Sequence, residues 1–127
     1  MSPAPPHVLT ILIVEDQDGP REVLATLLRP HYRVHSADSA TAALRIVQDH
    51  RIDLIIQDIG LPDRNGIELL RDLQPLTDTK VIVISGAGTV QSAQDAIKLG
   101  AVAYLLKPFN TEELLVLVHK TLTPHAA

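Results

Sequence analysis

Short apolar runs alternate along the chain with stretches in which apolar residues return every third or fourth position. Ile11-Leu12-Ile13-Val14, Leu54-Ile55-Ile56 and Val81-Ile82-Val83-Ile84 are apolar on both alternating faces, the pattern of strands covered on both sides. Strand and helix patterns pair off along the chain. The first pair is a strand from Val8 to Val14 and a helix to about Arg29, with Asp18 as N-cap, Pro20 in the first turn and Leu24, Leu27 and Leu28 as the buried stripe. The second is Tyr32 to Ser36, then a helix from Ser39 to Asp49 with Ala43, Ile46 and Val47 inward. A third strand, Asp53 to Gln57, ends at Asp58. The loop from Ile59 to Asn65, containing Leu61-Pro62, then leads through Gly66 to a short helix carrying Ile67, Leu70 and Leu73. Strand four, Lys80 to Ile84, runs into Ser85-Gly86-Ala87-Gly88, with Thr89 placed to cap a helix that ends near Gly100, a C′ residue. Val102 to Leu106 and a helix from Thr111 to Leu122 complete the series, with Asn110 and Glu113 at capping-box spacing.

Strands buried on both faces imply a parallel sheet between two layers of helices, an α/β architecture of (βα)5 type. Right-handed crossovers put every strand's carboxyl end on one edge, and that edge is where open α/β sheets bind ligands. The pattern gives one domain, residues 8–122. An extended tail (1–7) is expected before it, and a second tail or the start of a linker (123–127) after it.

Composition narrows the function classes. A net charge of −4 and only Tyr32, Tyr104 and Phe109 for stacking argue against direct nucleic-acid binding. The chain has no cysteine, which excludes disulfides and thiolate metal sites and agrees with a cytoplasmic location. No apolar run approaches the ~20 residues that span a bilayer, so no membrane association is expected. The histidines at 7, 31, 35, 50, 119 and 125 show no metal-ligand spacing.

The chemistry gathers at four strand ends: Glu15 and Asp16 after the first, Asp58 after the third, Ser85 after the fourth, Lys107 after the fifth. Carboxylates brought together there repel by roughly 4 kcal/mol per pair at ~4 Å and an effective dielectric near 20. Lys107 and a hard divalent cation, Mg2+ or Mn2+, are the natural counter-charges.

IVED, QDIGLPDRNG, VIVISG and AYLLKPF, in this order and each at a strand end, resemble the receiver domains of two-component signalling, over about Val8 to Leu122. The resemblance implies a flavodoxin-like, chemotaxis-regulator-like fold with strand order 2-1-3-4-5. It makes Asp58 the phosphoacceptor, with Asp16, Asp58 and the Gly60 backbone carbonyl on Mg2+ and Glu15 acting through a water. It implies that Ser85 hydrogen-bonds a phosphoryl oxygen, that Lys107 pairs with carboxylate or phosphate, that Lys107-Pro108 is cis, and that Ser85 and Tyr104 switch. A sensor histidine kinase or histidine phosphotransfer protein would supply phosphate, and an effector would read the surface of helix four, strand five and helix five. Such a protein catalyses its own phosphorylation and dephosphorylation, turns over no external substrate, and is a monomer or a phosphorylation-dependent dimer. Gly60 and Ala87 stand where the family tunes hydrolysis; both are small, which implies a phosphoryl group open to water.

Each residue also has a plainer reading: Glu15 and Asp16 as solvated loop acids, Asp58 as a turn residue, Ser85 as a loop hydroxyl, Lys107 as a surface lysine, Tyr104 as an ordinary half-buried aromatic. Glu15 stands where Asp is usual, and Gln57 is polar where the strand normally stays apolar. Three rival classes share parts of the pattern. A flavin carrier would need a Gly/Ser/Thr-rich loop in place of Glu15-Asp16-Gln17-Asp18. An aspartyl phosphohydrolase would carry a second aspartate at position 60. A docking scaffold would not need the complete acidic, hydroxyl and lysine set.

Overall fold

The computed structural model describes residues 8–86 and 90–123, the side chain of Val90 excepted. The expectations for the tails at 1–7 and 124–127, for Ala87 and Gly88, and for Thr89 as a cap lie outside the described residues. Five strands and five helices alternate: β1 Thr10–Val14, α1 Asp18–Leu28, β2 Arg33–Ala37, α2 Ala40–Asp49, β3 Leu54–Asp58, α3 Gly66–Leu73, β4 Lys80–Ser85, α4 Val90–Lys98, β5 Ala103–Leu106 and α5 Thr111–Leu122. All pairings are parallel, in the order β2-β1-β3-β4-β5.

The doubly apolar strands divide their side chains between two cores. Leu12, Val14, Ile55, Val81 and Val83 join Ala40 and Ala43 of α2, Leu69, Leu70 and Leu73 of α3, and Ala96 of α4. Ile11, Ile13, Leu54, Ile56, Ile82 and Ile84 join Leu24, Ala25 and Leu28 of α1 and Leu114 and Val118 of α5. Among the described residues no helix is long and apolar enough to cross a membrane.

Several local expectations shift. Asp18 is not the N-cap of α1. Gln17 holds that position without a side-chain bond, and Asp18 is the first helical residue, where its exposed carboxylate pairs with Arg21 one turn on. Asp53 lies one residue ahead of β3 and is tied to Thr10 twice, its carboxylate accepting the Thr10 N–H and its own N–H donating to the Thr10 carbonyl, each at 2.8 Å. In α1 Ala25 is buried while Leu27 is only half-buried, and in α3 Leu69 takes the core place expected of Ile67. Ile46 and Val47 of α2 are half-buried against the first core. Ser39 caps α2 through the Ala42 N–H, and Asn110 caps α5 through the N–H groups of Glu112 and Glu113. Gly100 follows α4 with φ +101°, the left-handed C′ conformation that glycine adopts without strain.

Candidate functional site

The carboxyl edge is built by strands that stop in step. Asp58 is the last residue of β3 and pairs in register with Ile84, which places Ser85 one residue further along β4. Ser85 pairs with Leu106 of β5, and its carbonyl accepts the Lys107 N–H at 2.8 Å. Glu15 extends the β1 ladder by donating its N–H to Ala37 at 3.0 Å. Its carbonyl and that of Asp16 accept from the Arg21 guanidinium at 3.0 and 3.3 Å, so α1 holds the acidic turn from behind.

One ammonium organises the centre. Lys107 Nζ donates to Asp58 Oδ2 and to Glu15 Oε1, each at 2.6 Å, and so bridges the ends of β1, β3 and β5. Asp58 Oδ1 accepts the Gly60 N–H at 2.9 Å. Glu15 is 1% exposed, Asp58 7% and Ser85 6%, so all three are withdrawn from bulk water. Asp16 is half-buried beside them. The Lys107-Pro108 peptide is cis.

Burial would raise the Asp58 carboxyl, but the Lys107 hydrogen bond, the Gly60 N–H and the lysine charge together outweigh it and hold Asp58 below its ordinary value. Glu15 goes the other way: burial, reinforced by the Asp58 charge, exceeds what Lys107 returns, and its carboxyl rises. Burial would lower Lys107, yet its bonds to Asp58 and Glu15 raise it, so the ammonium stays charged. The cluster therefore keeps Asp58 as an anion. Two buried carboxylates share that one lysine, with Asp16 next to Glu15 in the chain; among the described residues no three Asp, Glu, His or Cys side chains are gathered closely enough to hold a metal ion.

Tyr104 of β5 is half-buried against the α2-α3-α4 core, and its hydroxyl lies 2.9 Å from Ser92 Oγ of α4. Two residues outside the expected set shape the loop that follows Asp58. Gln57 is fully buried; its Nε2 donates to the Gly66 carbonyl at 2.7 Å, while its Oε1 has no partner among the described residues. The carboxylate of Asp63 accepts from Ala40 N–H, Thr41 N–H and Thr41 Oγ1 at 2.9, 2.9 and 2.7 Å. The polar break at Gln57 was a visible signal in the sequence; nothing near Asp63 marks its distant partners.

The family model described as "Response regulator receiver domain" matches residues 11–119. The KDP operon transcriptional regulatory protein KdpE of Escherichia coli K12 is 38% identical over 118 residues, 92% of this chain and 52% of that protein. The chain thus spans about half, or less, of the length of the curated relatives it matches. Among solved structures, a CheY-like receiver domain protein from Methanospirillum hungatei JF-1 is 30% identical with a TM-score of 0.88, covering 91% of this chain and 94% of that one. A response regulator from Burkholderia pseudomallei, described with a phosphorylated aspartic acid, calcium ion and citrate, is 29% identical with a TM-score of 0.79, covering 91% and 66%.

Proposed function

The chain belongs to the response regulator receiver domain family, and on that footing we propose that Asp58 accepts a phosphoryl group from phosphohistidine and that the new charge remodels the α4-β5-α5 surface. The observation that carries this reading is the single lysine shared by two buried carboxylates at the ligand-binding edge of the sheet. Asp58 is anionic at neutral pH and so supplies a nucleophilic oxygen. An O–P bond forms at Asp58 as the N–P bond of phosphohistidine breaks, and the imidazole leaves toward its kinase or phosphotransfer protein. Lys107 stays within reach of the acceptor and offsets charge that spreads over the equatorial oxygens. Ser85, buried at the end of the adjacent strand, is the hydroxyl assigned to a phosphoryl oxygen. Asp16, Asp58 and the Gly60 carbonyl would hold Mg2+, or Mn2+ in its place, with Glu15 acting through a water. When bound, the ion supplies charge neutralisation at the phosphoryl oxygens. Water then returns Asp58 to the free carboxylate, and Gly60 leaves it room to approach.

Acetyl phosphate with Mg2+ tests the reaction. Intact mass is expected to rise by one phosphoryl group, and EDTA is expected to prevent it. Uptake at an unchanged rate in EDTA would contradict the metal assignment.

The switch rests on Tyr104 and Ser85. The Tyr104 hydroxyl ties β5 to α4 through Ser92, so an inward turn of the ring breaks that bond and frees α4 to shift. Ile97 of α4, Leu106 of β5 and Val116 of α5 are exposed apolar side chains, which supports this face as the partner surface. On adding Mg2+ and beryllofluoride, amide shifts of Ser92 and Tyr104 are expected to move. Shifts confined to the acceptor edge would remove the switch and leave the acceptor in place. The relatives named as transcriptional regulators support a downstream effector domain or protein as the reader of this face. A cytoplasmic protein, monomeric or dimerising on phosphorylation, without direct contact to nucleic acid or membrane, completes the reading.

A further inference from the structure

The loop between β3 and α3 carries Gly60, yet groups outside the acidic cluster hold it in place. Its base is closed by backbone bonds: Ile59 N–H to Ile84 O at 3.2 Å and Gly66 N–H to Ile59 O at 2.7 Å. A bridge between Gly60 and Asn65 and the Gln57 amide on Gly66 O close it further. The far side is held by Asp63, which reaches across to the first turn of α2. Helix α2 offers its initial N–H groups to two different acceptors. Ser39 Oγ takes that of Ala42 at 3.1 Å, while Asp63 takes those of Ala40 and Thr41 and the Thr41 hydroxyl as well. These bonds, the Thr41 hydroxyl foremost, hold the Asp63 carboxyl down to about 2, so it is fully ionised at neutral pH.

Only Leu61 and Pro62 separate Asp63 from Gly60. Proline fixes one of the backbone angles between them, and Leu61 N–H is bonded to Ile59 O at 3.0 Å. So short and stiff a link passes a displacement of Asp63 on to Gly60 instead of absorbing it. We propose that Asp63 is a positioning residue for the acceptor: by pinning the loop to α2 it fixes Gly60, whose N–H holds Asp58 Oδ1. This rests on the reading of Asp58 as the phosphoacceptor. The Asp63 carboxylate makes its hydrogen bonds to Ala40 and Thr41 of α2 and acts on the site through the loop.

Asp63→Ala and Ser39→Ala separate this role from helix capping, because both remove acceptors from the start of α2 and only the first releases the loop. Asp63 is exposed, so the substitution leaves the core intact. In the metal-free full chain, hydrogen exchange at the Gly60 amide is expected to quicken about tenfold in Asp63→Ala and to stay at the wild-type rate in Ser39→Ala. Phosphorylation by acetyl phosphate is expected to need about tenfold more Mg2+ in Asp63→Ala, the lower end of what a lost outer partner of a metal ligand costs. Asp63→Asn, which keeps one accepting oxygen, is expected to fall between. Equal effects of the two alanine variants on melting with no change at Gly60 would reduce Asp63 to a helix cap and overturn the proposal. Wild-type protein that takes up no phosphate while Gly60 still responds would instead sink the acceptor reading and leave Asp63 without a reaction to serve.

Discussion

Asp58→Asn is expected to abolish phosphate uptake from acetyl phosphate while leaving the fold intact. The carboxylate is the anion that Lys107 and the Gly60 N–H hold ready; an amide at the same place has no anionic oxygen to attack phosphorus. The structural consequences nearly cancel. Lys107 loses one charge-assisted hydrogen bond, worth about 1.5–3 kcal/mol, but keeps Glu15 at 2.6 Å. Against that loss, the substitution removes repulsion between Asp58 and Glu15, at most roughly 4 kcal/mol at an effective dielectric of 20. Intact mass should therefore show no adduct under conditions that load the wild type, with a melting temperature equal to or above the wild-type value. Uptake at the wild-type level would move the acceptor elsewhere.

Gly66→Ala is expected to lower stability by about 2–4 kcal/mol, the sum of backbone overpacking and one weakened buried hydrogen bond. A Cβ on Gly66 would lie 2.5 Å from the Asp58 carbonyl oxygen and 2.6 Å from Ile59 Cα. Both are main-chain atoms at the end of β3, so no side chain can swing aside to relieve the clash. Moving the backbone pulls the Gly66 carbonyl from Gln57 Nε2, its buried donor. The urea midpoint should fall by roughly 1–2 M for an ordinary dependence on denaturant. Gly19→Ala is the matched control, since a Cβ there meets nothing within 4 Å and the site lies in the first turn of α1. Equal midpoints for the two variants would show that the loop yields more easily than its packing implies.

The sheet was legible because its three central strands, β1, β3 and β4, are apolar on both faces, a pattern with few other solutions. The cluster at the carboxyl edge was legible for a related reason: Glu15, Asp16, Asp58, Ser85 and Lys107 each stand at or just past a strand end, and parallel strands bring all such positions to one rim. Most of what escaped depends on partners far away in the chain. The carboxylate of Asp53 gave no sign that it accepts from Thr10, 43 residues distant. Asp18 looked like a cap, but Arg21 nearby claims its carboxylate. Gln57 stood out as polar, yet its use required knowing that the chain returns Gly66 to it. Asp63 gave no signal, since the donors it satisfies lie on α2, 22 and 23 residues away.

The central claim is that the carboxylate shared between Lys107 and Gly60 is the one that receives phosphate. Trapping the acyl phosphate with borohydride after loading with acetyl phosphate and Mg2+, then mapping the reduced residue by peptide mass spectrometry, tests it most directly. Reduction at position 58 alone is the predicted result; reduction at position 15 or 16, or at no acidic residue at all, would contradict it.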